Sequence, residues 1–391
     1  MAASQAARPA PKIAKDLRRK WLYTKSGFDI PFLVILLLVL AVGLVCLYSA
    51  SYAYAYKWED GDSYFYISKQ IKFAVFGLVV MLVASCFNYE KWHYAAIPLL
   101  VLSVILLGVV LVLPSESGVH RWIRFAGTQF QPSEIAKFAL ILLFAHLISL
   151  NHKRMQTFKS GFLPFILVLG VVCGLVFLEP HLSGTILLMA IGLIMMYVGG
   201  TRKAFLASLV LAGVAVVFFM VFVGGYEQDR IAVWQDPIGV NEKDPGGDAW
   251  QTVQSLYAIG SGGLMGQGLG NSRQKHLFLP EPHNDFIFSV ICEELGLIGA
   301  VLVIALFGLL VWRGFVIGMK AKDKFGSMLA IGLTAQVGVQ ALLNMAVVTN
   351  TVPNTGISLP FFSYGGTSLV MLLAQMGVVL AVSRQSRDKA E

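Results

Sequence analysis

Residues 31–54 read PFLVILLLVLAVGLVCLYSASYAY, with no charged side chain in the run. A helix crossing the hydrocarbon layer of a membrane needs about 20 consecutive, mostly apolar residues, and this stretch supplies them. It is too long for the apolar core of a secretion signal and lacks a clean cleavage site, so it is expected to stay as a retained spanning helix. Further apolar blocks lie at about 69–87, 93–113, 133–150, 162–178, 183–199, 203–225, 285–315, 326–349 and 367–383. The expected fold is therefore an all-α polytopic membrane protein of about ten transmembrane helices.

Composition agrees. Of 391 residues, 57% are hydrophobic and 13% charged, against about 25% charged in soluble domains. The spacers are mostly short, which leaves one membrane domain, residues 28–384, between a basic tail (1–27) and a short C-terminal tail (385–391). The net charge of +8 belongs to the ends of the apolar blocks rather than to a separable basic face, so nucleic acid is not an expected partner. With the N-terminus inside, Lys91, Lys153, Arg154, Arg202, Lys203, Lys320, Lys322, Lys324, Arg384 and Arg387 all fall on the inner side. The positive-inside rule then places both termini in the cytoplasm and residues 226–284 outside. Cys46, Cys86, Cys173 and Cys292 sit in apolar runs without CxxC spacing, which indicates packing rather than zinc or disulfides.

The 226–284 loop is too long for a connector and is expected to carry short helices. In Trp250-Gln-Thr-Val-Gln-Ser-Leu-Tyr257, helical spacing puts Trp250, Val253 and Tyr257 on one face. A helix lying in the membrane interface and a partly buried loop helix both fit.

Chemistry gathers at the ends of this loop. Leu279-Pro-Glu-Pro-His-Asn-Asp-Phe-Ile-Phe288 sets Glu281, His283 and Asp285 at the entry to the eighth span. Asp285 is read either as an N-terminal cap, which helix starts favour, or as a catalytic carboxylate. The preceding run Ala258-Ile-Gly-Ser-Gly-Gly-Leu-Met-Gly-Gln-Gly-Leu-Gly-Asn-Ser-Arg-Gln-Lys275 could bring backbone amides close to an anion, with Arg273 and Lys275 beside it; a surface loop is the plainer meaning. Arg121 and Arg124 lie outside, against the charge trend, and suit either pyrophosphate or headgroups and loop carboxylates. Glu134 and Lys137 are three apart at the start of the fourth span and can pair. Glu293 and Glu294, two turns into the eighth span, could join that network, since ionisable groups inside spans tend to be paired. Asn354-Thr-Gly-Ile-Ser-Leu-Pro-Phe-Phe-Ser-Tyr-Gly-Gly-Thr-Ser368 breaks helix at Pro360 and Gly365-Gly366, as backbone lining a cavity is allowed to do.

Four motifs occur in order: RWI at 121–123 with QPSExxK at 131–137, QSLxAIGxGG at 254–263, LPEPHNDFIFxxIxEELG at 279–296 and LPFFSYGGTS at 359–368. With them the chain resembles the SEDS family (FtsW, RodA, SpoVE) over nearly the whole membrane domain, and Gly268–Lys275 is most similar to the FtsW branch. One departure is Glu179-Pro-His-Leu-Ser-Gly-Thr185, where His181 stands in place of the family's commoner aspartate.

The resemblance implies a peptidoglycan glycosyltransferase that joins lipid II to a lipid-linked glycan strand on the outer face of the cytoplasmic membrane, releasing undecaprenyl pyrophosphate. The family's essential aspartate falls on Asp285. The FtsW branch implies septal wall synthesis in cell division, a class B penicillin-binding protein (a transpeptidase) as partner, and other divisome membrane proteins nearby. An α-linked donor giving a β-linked product needs one in-line inversion and one base for the acceptor hydroxyl; pyrophosphate leaves without protonation, so no acid partner is required. Arg121, Arg124, Arg273 and Lys275 are the expected cations for the leaving group, with His283 and Ser363 completing the substrate-binding set. A divalent cation, Mg2+ or Mn2+, could share that task, although no multi-ligand metal signature is visible. Two other functions compete. A lipid II flippase should show midplane binding groups and inverted repeats, whereas the polar clusters here sit in outer loops. A non-catalytic divisome scaffold would leave those clusters without a purpose.

Overall fold

The architecture was obtained as a computed structural model that describes residues 27–113, 121–125, 128–222, 228–247 and 249–386; the two tails expected from the sequence lie almost wholly outside these residues. Ten long helices follow the apolar blocks. They are α1 (Ile30–Trp58), α2 (Phe65–Cys86), α3 (Trp92–Val112), α4 (Pro132–Asn151), α5 (Leu163–Leu178), α6 (Leu182–Gly199) and α7 (Lys203–Phe222), then, after the long loop, α11 (Ile287–Met319), α12 (Lys324–Val348) and α13 (Gly366–Ser386). Among the described residues nine helices are long and apolar enough to cross a bilayer; α7, an apolar helix of 20 residues, occupies the remaining expected position. The loop carries the expected short helices: α8 (Gln228–Gln235), α9 (Pro237–Lys243) and α10 (Trp250–Gly262). A small antiparallel hairpin, β1 (Ile123–Phe125) with β2 (Thr128–Phe130), pairs Ile123 with Phe130 and Phe125 with Thr128.

The bundle has an inner and an outer set. About 72% of the apolar window of α4, 72% of α12 and 67% of α13 is buried, against 22% for the span containing α3. The inner helices can be less apolar because protein, not lipid, surrounds them. On α12 the buried polar residues Gln336, Gln340 and Asn344 recur every four positions and so share one face. Outer helices instead turn Val101, Leu102 and Ile105 of α3, or Val210, Leu211 and Val214 of α7, outward, as a lipid-facing surface requires.

Polar groups at the helix ends stitch the bundle together. Asp29 caps α1 by accepting from the Phe32 amide at 3.1 Å. The same carboxylate takes a bidentate pair from Arg313 of α11, at 2.9 and 2.8 Å. The Asp29 amide donates to Ser383 Oγ of α13 at 3.3 Å. One cap therefore joins the first, eighth and tenth spans.

One expectation is corrected here, and one open reading is narrowed. The eighth span is not one continuous helix: Gly296, at φ 65° and ψ −166°, breaks α11 into a short entry helix and a long one. Of the two readings open for α10, the partly buried loop helix is the one its packing fits. Thr252, Val253, Gln254 and Ser255 are all buried, and Ser255 Oγ donates to the Val348 carbonyl at the end of α12 at 2.9 Å. Its buried face includes polar residues as well as Val253, because the helix packs on α11.

Candidate active site

A cavity of about 790 Å3 opens where the hairpin, the 281–285 segment and the 356–366 loop meet, and it reaches down between α4, α6, α12 and α13. Six residues expected from the sequence line it: Arg121, Glu134, Lys137, His283, Asp285 and Ser363.

Asp285 precedes α11. The capping position is taken by Phe286, and no side chain caps this helix, so the capping reading of Asp285 is corrected: its carboxylate is turned to the cavity. Its position is set through the backbone. Asn344 Nδ2, at the top of the polar face of α12, donates to the Asp285 carbonyl and to the Ile357 carbonyl, both at 2.7 Å. The facing loop is fixed by Ser183 Oγ, which donates to the Thr355 and Gly356 carbonyls at 2.8 and 3.1 Å. Gly356 has φ +64°, and a Cβ there would lie 3.1 Å from Asp285 Oδ2; glycine both adopts the turn and leaves room for the carboxylate. Burial and the nearby Glu281 charge push the Asp285 carboxyl up to about 6, while Arg121 opposes the rise.

His283 packs its ring against Tyr66 at 4.2 Å and Tyr54 at 5.0 Å between centroids. Burial lowers it to about 4, so the imidazole is neutral. Arg121 is oriented by the Glu179 carbonyl, which accepts from Nε at 3.2 Å, and by the Pro180 carbonyl. Glu134 and Lys137 form the expected pair at 2.7 Å, with Pro132 in the first turn of α4. Lys137 Nζ also donates to Gln340 Oε1 at 3.4 Å, and Glu134 Oε2 is buried without a hydrogen-bond partner.

Other expected residues go elsewhere. Lys275 is fully buried and is not a substrate cation: its ammonium pairs with Glu294 at 2.5 Å and donates to Ser49 Oγ at 3.3 Å. Glu293 and Glu294 do not join Glu134 and Lys137. Glu293 accepts from Ser272 Oγ at 2.5 Å and from the Arg273 amide at 2.9 Å. Glu294 accepts from Ser49 Oγ at 2.6 Å and the Ser272 amide at 3.4 Å. The Gly-rich run thus does bring amides to an anion, but the anion belongs to the chain itself. Arg273 is exposed and does not line the cavity. The side chain of Arg124 lies outside the described residues. Ser363 lines the cavity, yet its hydroxyl donates to the Asn284 carbonyl at 2.7 Å and accepts from the Leu359 amide at 2.8 Å; it ties two loops together rather than awaiting substrate.

The sequence reading passed over Lys69, Gln340 and, as a site residue, His181, all of which line the cavity. Lys69 had marked the edge of a span; its ammonium lies 3.6 Å over the Phe65 ring. The four-residue recurrence of Gln336, Gln340 and Asn344 inside an apolar block was the signal available for α12. His181 sits near Gln131, ring nitrogen to amide nitrogen at 3.5 Å; burial, with Arg121 and Lys137 nearby, lowers it to about 3, so it stands in the wall uncharged. Among the described residues no three His, Cys, Asp or Glu side chains gather as a metal cluster.

Comparison with known proteins gives a consistent result. A family model described as "Cell cycle protein", covering FtsW, RodA and SpoVE, matches residues 30–388. The "Probable peptidoglycan glycosyltransferase FtsW" of Trichlorobacter lovleyi is 41% identical over 362 residues, covering 92% of this chain and 93% of that protein. Stage V sporulation protein E of Bacillus subtilis is 38% identical over 368 residues, covering 93% and 99%. Among solved structures, a chain from work on "polymerization and crosslinking by a peptidoglycan synthase complex" superposes with a TM-score of 0.75 at 27% identity, covering 92% of this chain and 98% of that one. The rod shape determining protein RodA of Thermus thermophilus superposes with a TM-score of 0.67 at 26% identity, covering 93% and 98%.

Proposed function

The chain belongs to the FtsW, RodA and SpoVE family of cell cycle proteins, and from that premise we propose that it is a peptidoglycan glycosyltransferase polymerising lipid II, with Asp285 as general base. The observation that carries this is the Asp285 carboxylate: it caps no helix, and it faces a polar cavity shared with Arg121, Lys137 and His283. In the reaction the carboxylate takes the proton from the acceptor 4-hydroxyl as that oxygen attacks the anomeric carbon of the donor. The bond to pyrophosphate breaks in line, and the configuration inverts. Arg121, held by two carbonyls, offsets charge growing on the leaving group. Mg2+ is commonly held by one or two carboxylates together with substrate phosphates; Glu281, which lines the same cavity as Asp285 and is not asked to act as base, would be the protein's share of such a site.

The reaction runs on the outer face of the cytoplasmic membrane, with both termini in the cytoplasm, and the relatives named FtsW support use at the division septum. A class B penicillin-binding protein is the proposed partner, supported by the likeness to a chain of a peptidoglycan synthase complex. The deciding experiment compares wild type and Asp285→Asn with purified lipid II. Asn keeps the size and loses the base; loss of a general base costs about 10²–10⁴ in rate. The variant is expected to insert, melt and bind its partner as wild type does but to make no glycan polymer. Polymer at near wild-type rate would place the base elsewhere. The Glu134–Lys137 pair inside the cavity favours one second reading, lipid II transport; wild type that moves lipid II across liposomes and never polymerises it would establish that reading instead.

A further inference from the structure

Two contacts between α1 and α11 give the fold a ruler. Asp29, at the start of α1, holds Arg313 of α11, and Ser49, further along α1, donates to a Glu294 carboxylate oxygen of α11 at 2.6 Å. Twenty residues of α1 and nineteen of α11 separate the two contacts. At about 1.5 Å per residue each path measures about 30 Å, the thickness of the hydrocarbon layer. In the orientation proposed above, Asp29 lies at the inner boundary of that layer and Glu294 at the outer one.

The Gly-rich turn that follows α10 passes below this outer level. The Leu297 amide donates to the Gly263 carbonyl at 2.9 Å, and the Ile298 amide to the Leu264 carbonyl at 3.2 Å. The tip of the turn therefore lies beside α11 on the membrane side of Glu294. Close packing fixes it there: a Cβ on Gly262 would run into the Cys292 carbonyl oxygen, and one on Gly266, where φ is +79°, into that of Glu294. Although α10 itself is covered by α11, the turn is not. Leu264 is 67% exposed and Met265 79%, and Leu269, Leu297 and Ile298 are exposed with them. No charged side chain occurs from residue 249 to 272. The first to follow is Arg273, which is exposed and whose amide is held by Glu293.

An exposed apolar patch marks a surface that something covers, and here depth and continuity say what. Val301 and Leu302, one turn beyond Leu297 and Ile298 on the same side of α11, are exposed as well, so the patch runs into the lipid-facing stripe of the span. We propose that the 263–269 turn is a lipid anchor, with Leu264 and Met265 among the acyl chains of the outer leaflet and Arg273 at the level of the headgroup phosphates. The partner is bulk phospholipid rather than a lipid-linked saccharide. Seated there, the turn holds the end of the long outer loop at one depth in the membrane.

Fluorescence quenching tests the depth. Met265→Cys, in a full-length chain lacking the four natural cysteines, is labelled with bimane and reconstituted into vesicles of phosphatidylethanolamine and phosphatidylglycerol. Apolar faces seated in this boundary lie about 5–10 Å deep, so lipid carrying a nitroxide at carbon 5 of its acyl chain should quench the label more than lipid carrying it at carbon 12. Iodide in the buffer should quench it no more than a label at Val301→Cys. A label at Lys243→Cys, in the loop above, should respond in the opposite way, to iodide and not to lipid. Leu269→Cys gives a second reading of the turn should the first variant insert poorly. Quenching of the turn by iodide but not by lipid overturns the proposal. So does loss of lipid quenching when a stoichiometric transpeptidase is added, which would assign the face to a protein partner. The measurement needs no catalytic turnover, so its outcome stands apart from that of the glycosyltransferase reading.

Discussion

At Asp285 two charges pull in opposite directions. Burial raises the carboxyl most, Glu281 raises it further and Arg121 lowers it, and the balance lies at about 6. A base works only when ionised, so polymerisation should be flat above about pH 6 and fall about tenfold per unit below it. The signs of the variants follow. Glu281→Gln removes a repelling charge, favours ionisation and should move the midpoint to lower pH. Arg121→Gln removes an attracting charge and should move it higher, apart from any loss in substrate binding. Rates of lipid II polymerisation from pH 4.5 to 8 give both midpoints, and shifts of the reverse sign would dismiss Asp285 as the titrating group. The sequence made this residue legible as one of three ionisable groups in a row of five. Its spacing could not separate a cap from a base, because that depends on where the helix starts: Ile287, with Phe286 at the cap. Lys275 shows the opposite failure. A lysine in a glycine-rich outer loop looks free, and only the fold reveals that Glu294 waits for it below.

The broken eighth span is the element that most changes the picture. Its entry half carries Glu293 and Glu294, and the Gly-rich run folds onto the break with its amides aimed at these carboxylates. Backbone bonds add to this, from the Gln267 amide to the Glu293 carbonyl at 3.0 Å and the Gly268 amide to the Glu294 carbonyl at 2.9 Å. The arrangement anchors the end of the long loop and so fixes where the 279–286 segment begins. A buried ion pair loses most when one partner is removed, about 3–5 kcal/mol, because the other is stranded. Lys275→Met and Glu294→Gln should therefore each lower the melting temperature in detergent, while the double variant should recover much of the loss. Additive losses would show that the two side chains do not act as a pair. Gly296 was invisible as a hinge because a single glycine in a long apolar run reads as tolerated, and its φ of 65° is a fact of the tertiary packing.

For the molecule as a whole, the apolar blocks were enough to place the long helices to within a few residues, since a hydrocarbon layer asks each crossing segment for about 20 mostly apolar residues. What they could not rank was inside against outside of the bundle; that follows from which helices carry polar residues, and α4 and α12 do. Sidedness rests on the lysines and arginines. Single cysteines introduced near Lys153 and near Lys243, in a background lacking the four natural ones, should be labelled from the cytoplasm and from outside respectively; reversal of the two would invert the topology. The purified chain alone should polymerise slowly and accelerate when its transpeptidase is added, since loop ordering often limits turnover; a rate indifferent to the partner would count against that dependence.

The cap at Asp29 places a clock on biosynthesis. Its carboxylate needs Arg313 and its amide needs Ser383, partners 284 and 354 residues away in the chain. At about 5–20 residues per second, a ribosome takes on the order of 20–70 s to deliver the last of them. For that interval α1 holds a carboxylate at its boundary with neither contact made. The first span is thus among the last to be locked, and a chain released before its tenth span would carry that unfinished end as its mark for quality control.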